Sequence, residues 1–226
     1  REMESPLNLM QFIRPCKLGL GWAAALMGAA CVSLPAIEPE QDANHEAAKV
    51  KTGEMAQQTS RFLWSKQSPD GAWRSETYGL LKSGQSLTPF VLLALSEVPA
   101  GVATIPDGAV EKAMGFLRRM GNEDGSHGRT DPEVLDYPNY ATAYALRCFL
   151  RHGTENDRDR MQAMTSYLVA QQFGEETGFK PDSVVYGGWG FGINRRPTLA
   201  SFVDLSHTRR VLQALDEASA VSPATG

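Results

Sequence analysis

Cysteine is nearly absent: Cys16, Cys31 and Cys148 are the three in 226 residues. Cys16 and Cys31 fall within the first 36 residues, so a processed chain keeps Cys148 alone and can form no intrachain disulfide. Cys148 then reads as a small buried hydrophobe. Positive charge is also short. Lys and Arg total 22 against 26 Asp and Glu, a net charge of −4, with residues 1–36 carrying +1 and the rest −5. No basic stripe is left to follow a phosphate backbone, so nucleic acid is excluded as a partner. Asp-x-Cys does not occur anywhere. A zinc site takes at least three protein ligands, and no metal or other cofactor is expected.

One uncharged run stands out. Arg14 and Lys17 precede 18–36, nineteen residues without a charge and rich in Ala and Gly. A basic start, an apolar run and small residues near its end resemble an export signal. Nineteen residues also suffice to span a bilayer, so residues 1–36 are read as a signal peptide or an N-terminal membrane anchor. Cys31 follows Met27-Gly28-Ala29-Ala30, where Gly28 replaces the Leu usual in a lipoprotein box, and lipidation is not expected. Residues 37–53 are polar and read as a linker. The expected location is exported, periplasmic or envelope-associated, with membrane contact only through the N-terminal segment.

Beyond residue 53 the chain repeats itself. Phe62-Leu63, Phe116-Leu117 and Tyr167-Leu168 align with leucine steps of 54 and 51 residues. Four residues past each leucine lie Gln67, Gly121 and Gln172; seven past lie Asp70, Asp124 and Glu175. A second register runs Thr88, Thr142, Thr208, then Leu92, Leu146, Leu212, then Leu95, Phe149, Leu215, in steps of 54 and 66. Two registers in one order predict paired helices stacked side by side. The first helix of each pair is amphipathic: Val110, Ala113, Met114, Leu117 and Met120 form one apolar stripe. The second is apolar nearly all round, as in 89–95, and must be covered on every side. Outer amphipathic and inner buried helices therefore alternate over 54–218, with 219–226 as a tail.

Phe62-Leu63, Gln67, Asp70-Gly71 and Trp73 form a motif that resembles the QW repeat of squalene–hopene and oxidosqualene cyclases, a class that also runs through protein prenyltransferase β subunits. Asp124-Gly125 with His127, and Gln172 with Gly188-Trp189, are similar but altered copies. The resemblance covers about 54–218 and implies an all-α fold, part of an α/α-toroid whose inner helices ring an apolar cavity. It implies an apolar, isoprenoid-type ligand. Known toroids of this kind close with about six helix pairs, so three pairs imply completion by further repeats or a second subunit. The cyclases' Asp-x-Asp-Asp motif is absent, as is the Cys-Gly-Glu-Gln run of thioester domains. Catalysis is therefore not expected from the resemblance, and a protein- or glycan-binding scaffold stands as the alternative.

Within the motif, Gly71 and Gly125 are expected to leave the outer helix in left-handed conformation. Asp70 and Asp124 are expected to bond the local turn. Trp73 needs a partner for its N–H, and Gln67 is expected to offer its side-chain carbonyl. Asp136, Tyr137, Tyr140, Asp204, His207 and Arg209 lie on the rim at inner-helix starts, where Asp136, Asp204 and His207 read as helix caps or as acid–base groups of a polysaccharide-cleaving rim. Tyr140, Tyr144, Trp189 and Phe191 are candidates to face a ligand. The glycine-rich stretch 187–192 reads as a packing plug or as a ligand-facing loop.

Overall fold

The computed structural model describes residues 39–129, 136–192 and 203–221. The leader at 1–36 lies outside them, as does most of the 219–226 tail. Two compact units are present, residues 1–49 and 50–226. Among the described residues the first unit contributes only the opening turns of a helix.

Six α-helices follow one another: α1 Pro39–Ser65, α2 Leu87–Ser96, α3 Ala109–Met120, α4 Pro138–His152, α5 Arg158–Ala170 and α6 Leu205–Val221. No β-strand occurs among the described residues, only a bridge between Gly190 and Val203. The class is all-α, as expected. One boundary differs: most of the 37–53 stretch expected as a linker is helical, because α1 begins at Pro39, a residue whose missing N–H suits a first helical turn. No described helix is long and apolar enough to cross a membrane.

Burial separates the helices into two kinds. In α4 the side chains of Ala141, Ala143, Ala145, Leu146, Cys148 and Phe149 are all buried. That helix packs against α2, α3, α5 and α6 and is the centre of the unit. Full burial of an aliphatic or aromatic side chain contributes about 1.5–3 kcal/mol, so α4 anchors the core. In α3 only one face is buried, at Ala113, Met114, Phe116 and Leu117.

The links between paired helices make the same contacts three times. The backbone N–H of Trp73 donates to Thr88 Oγ1 (3.0 Å), that of His127 to Thr142 Oγ1 (2.9 Å) and that of Trp189 to Thr208 Oγ1 (2.9 Å). The ring N–H of Trp73 donates to the Leu63 carbonyl (2.7 Å), and that of Trp189 to the Leu168 carbonyl (2.6 Å). His127 Nε2 lies 3.1 Å from the Leu117 carbonyl. A carbonyl only accepts, so Nε2 carries the proton. Each ring thus ties the end of an outer helix to the start of an inner one. Asp70 and Asp124 accept from the backbone of Ala72 and Ser126, as their turn role predicts. Gln67 differs from expectation. Both partners of its side chain are carbonyls, Gly71 at 3.1 Å and Ala109 at 2.9 Å, so it donates twice and accepts from neither.

The altered second copy has a local cause. A Cβ at Gly121 would stand 2.8 Å from Arg160 Nη1 and 3.2 Å from His127 Cε1. The Arg160 guanidinium, 5.8 Å from the Phe149 ring centre, occupies the region where the other copies carry glutamine. The loss of glutamine and the change from Trp to His are thus one packing solution.

His127 gives a pH dependence. It is fully buried, its Nδ1 has no hydrogen-bond partner, and burial pushes its pKa down from 6.5 to about 4. Below the ordinary value the unfolded chain takes up a proton that the folded chain refuses until about pH 4. Stability complete above about pH 6.5 is therefore lost as pH falls, by up to about 1.4 kcal/mol per unit. His127→Gln, which keeps an N–H donor but cannot titrate, is expected to remove about 2 kcal/mol of the stability difference between pH 7 and pH 5. Urea unfolding followed by circular dichroism at both pH values measures it; an unchanged difference would place the titrating group elsewhere.

Candidate functional site

The N-terminal ends of α2, α4 and α6 converge on a cavity of about 280 Å³. Its walls are Leu81, Ser86, Leu87, Phe90, Tyr137, Tyr140 and His207. Three of these, Tyr137, Tyr140 and His207, are residues singled out from the sequence.

His207 sits in the first turn of α6 and is 7 % exposed. Asp204 Oδ1 accepts from the His207 backbone N–H (2.8 Å) and lies 2.8 Å from His207 Nδ1. These hydrogen bonds, the side-chain one foremost, hold the Asp204 carboxyl below its usual range. Asp204 is thus both the helix cap its position suggested and the group that orients the imidazole. A carboxylate only accepts, so Nδ1 carries a proton, and in the uncharged form of the ring Nε2 is the acceptor. Nε2 is buried and has no hydrogen-bond partner. Aromatic rings surround it: Phe191 at 4.8 Å, Tyr140 at 5.5 Å and Tyr137 at 6.0 Å between centroids. Tyr144 stands behind, 4.5 Å from Tyr140. Burial and the bond with Tyr144 push the Tyr140 hydroxyl pKa upward, so it stays protonated.

Tyr137, immediately before α4, has φ of 45°. A bulky residue in left-handed conformation is strained and persists only where its surroundings impose it, most often at functional sites. The glycine-rich stretch supplies the restraint. Asn139 donates through Nδ2 to the Gly190 carbonyl (2.8 Å), and its backbone N–H to the Phe191 carbonyl (3.2 Å). Trp189 plugs the core and Phe191 packs on the histidine, and no residue of 187–192 is among the cavity walls.

Tyr144 and Phe191, also expected to face a ligand, are not among the cavity walls, and two further candidates stand elsewhere. Trp189, expected to face a ligand, is 2 % exposed, does not line the cavity and holds the end of α5. Asp136, expected to cap its own helix or act on a substrate, is fully buried and caps α2 from a distance. It accepts from Ser83 Oγ (2.7 Å), the Ser86 backbone N–H (3.1 Å) and Ser86 Oγ. Both its oxygens are committed, and so is the Ser86 hydroxyl. Asp136 thus holds the start of α2 and is not among the cavity walls that His207 lines. Ser86, Leu87 and Phe90 were missed. The exposure of Phe90, 40 % in an otherwise buried helix, marks the uncovered face, and only tertiary structure shows it. Among the described residues no group of His, Cys, Asp and Glu could hold a metal ion.

No family model, no curated protein and no solved structure matches the chain. The site is an apolar, aromatic-walled cavity with one buried, oriented imidazole among its walls.

Proposed function

We propose that the three helix pairs are repeats of the prenyltransferase/squalene-cyclase-like class, forming part of an α/α-toroid, and that the cavity binds an apolar, isoprenoid-type ligand ending in a hydroxyl. The observation that carries this reading is the buried, unpartnered Nε2 of His207 in an otherwise apolar wall. A buried acceptor without a partner costs about 1–3 kcal/mol, which a ligand O–H removes on binding. The three recurring sets of link contacts support the repeat reading. No catalytic step belongs to the proposal: the imidazole could take a proton from a bound hydroxyl, but Ser86 is committed to Asp136.

Calorimetric titration with farnesol and with the corresponding hydrocarbon farnesene at pH 8 tests it. Farnesol is expected to bind, and more tightly than farnesene. His207→Phe is expected to weaken farnesol by about 3–10-fold and leave farnesene unchanged, the loss of one neutral hydrogen bond. Equal binding of both compounds by both proteins would remove His207 from the reading; no binding of either would end it.

A further inference from the structure

We infer that copies of this chain associate head to tail, the outward face of α1 in one copy docking on the Gly187 turn and the α6 flank of the next. The molecule contains three equivalent turns, each following an outer helix, and they differ in what covers them. At the first junction, α3 lies so close to the Gly71 turn that a Cβ there would collide with the Lys112 carbonyl. Gln67 donates to the Ala109 carbonyl across the same junction, Arg119 donates to the Asp70 carbonyl (2.8 Å), and Phe116 is fully buried beside Arg74. At the second, a Cβ on Gly125 would collide with the backbone of Ala163 in α5, and Tyr167 is 6 % exposed.

At the third, the same turn is formed and open. Gly187 keeps left-handed φ, 81°, and Gln172 donates to its carbonyl (3.0 Å) as Gln67 does to that of Gly71, yet a Cβ there would meet nothing within 4 Å. The adjoining inner helix is uncovered as well. Leu212 is 52 % exposed, whereas its counterparts Leu92 and Leu146 are completely buried. The opposite end of the molecule shows the complement. Phe62 of α1 is 58 % exposed where Phe116 and Tyr167 are buried, and Met55 is 60 % exposed where Ala109 is buried. Gln58 and Thr59, the counterparts of Lys112 and Ala113, are exposed too. One end thus presents what docks at both internal junctions, and the other presents what receives it. A second copy supplies the matching face without any new surface, and such a contact is heterologous.

Light scattering during size exclusion of the full chain, across micromolar concentrations, is expected to show mass above the monomer. Phe62→Glu and Leu212→Glu alter exposed side chains on the two faces, so circular dichroism should be unchanged; Met55→Glu serves as a second head variant. Each alone is expected to weaken association about thirtyfold, the size of one hot-spot loss. An equimolar mixture of Phe62→Glu and Leu212→Glu is expected to recover a dimer and nothing larger, because each partner retains one intact face. A monomeric wild-type chain, association that survives both substitutions as leader-driven clustering would, or a mixture that stays monomeric would overturn the inference. Loss of association by one variant alone would indicate a symmetric contact and overturn it too.

Discussion

Gly125→Ala is expected to destabilise the fold by about 4 kcal/mol or more, and Gly187→Ala by only about 1 kcal/mol. Both glycines hold left-handed backbone, with φ of 84° and 81°. An alanine at either position therefore bears the same conformational cost, on the order of 1–2 kcal/mol. They differ in surroundings. At Gly125 the added methyl falls on the carbonyl and carbonyl carbon of Ala163 and close to the Met164 amide (2.6 Å), all backbone atoms of α5. Rotamer changes relieve nothing there, and the whole helix has to move off a core that includes Met164 and Leu168. Overpacking of a well-filled core costs about 1–3 kcal/mol even when side chains can adjust. Gly71→Ala, against Lys112 and Ala113 of α3, is expected to match Gly125→Ala. Urea unfolding of the three variants beside the wild type measures the contrast. Equal losses at all three positions would show that conformation alone selects glycine here and that the helices do not dock on these turns as described.

The glycines also show what was legible in the sequence. The left-handed conformation of Gly71 and Gly125 could be read from a glycine placed just beyond an amphipathic helix, because that requirement is local. Their second role could not, since it depends on which helix arrives against the turn. The helices themselves were legible: the stripe through Ala113, Met114 and Leu117 is the buried face of α3. Gln67 was misjudged because an amide can donate or accept, and only the facing carbonyls of Gly71 and Ala109 decide. The change from Gln and Trp to Gly121 and His127 looked like decay of a motif. It is a repacking around Arg160, a residue outside the motif. At the cavity, Tyr137, Tyr140 and His207 were legible from their places at inner-helix starts. Ser86, Leu87 and Phe90 were not, because a helix apolar on all sides does not announce which side is left uncovered.

Asp136→Ala is expected to cost about 3–5 kcal/mol, and the loss should appear in stability together with ligand binding. The carboxylate has no exposed surface and accepts from Ser83 Oγ, the Ser86 backbone N–H and Ser86 Oγ. Hydrogen bonds to a charged acceptor are worth about 1.5–3 kcal/mol each, and donors left buried without an acceptor add about 1–3 kcal/mol. Ser86 precedes α2, whose first turn carries Leu87, and Asp136 precedes Tyr137. Loss of the carboxylate therefore loosens two walls of the cavity at once, on helices that it ties together. Asp136→Asn keeps the shape and the acceptor for Ser83 Oγ and the Ser86 backbone N–H, with its N–H₂ donating to Ser86 Oγ, but loses the charge; about half the loss is expected. His207→Phe should show the opposite weighting, with farnesol affinity reduced and a stability loss of only about 1 kcal/mol, for the one Nδ1 hydrogen bond to Asp204, whose carboxylate keeps the His207 backbone N–H. Thermal and urea unfolding of Asp136→Ala, read beside farnesol titration, separates the two roles. If that variant keeps wild-type stability, the carboxylate does not hold α2 to α4, and a direct part for Asp136 in the chemistry of the cavity has to be reopened.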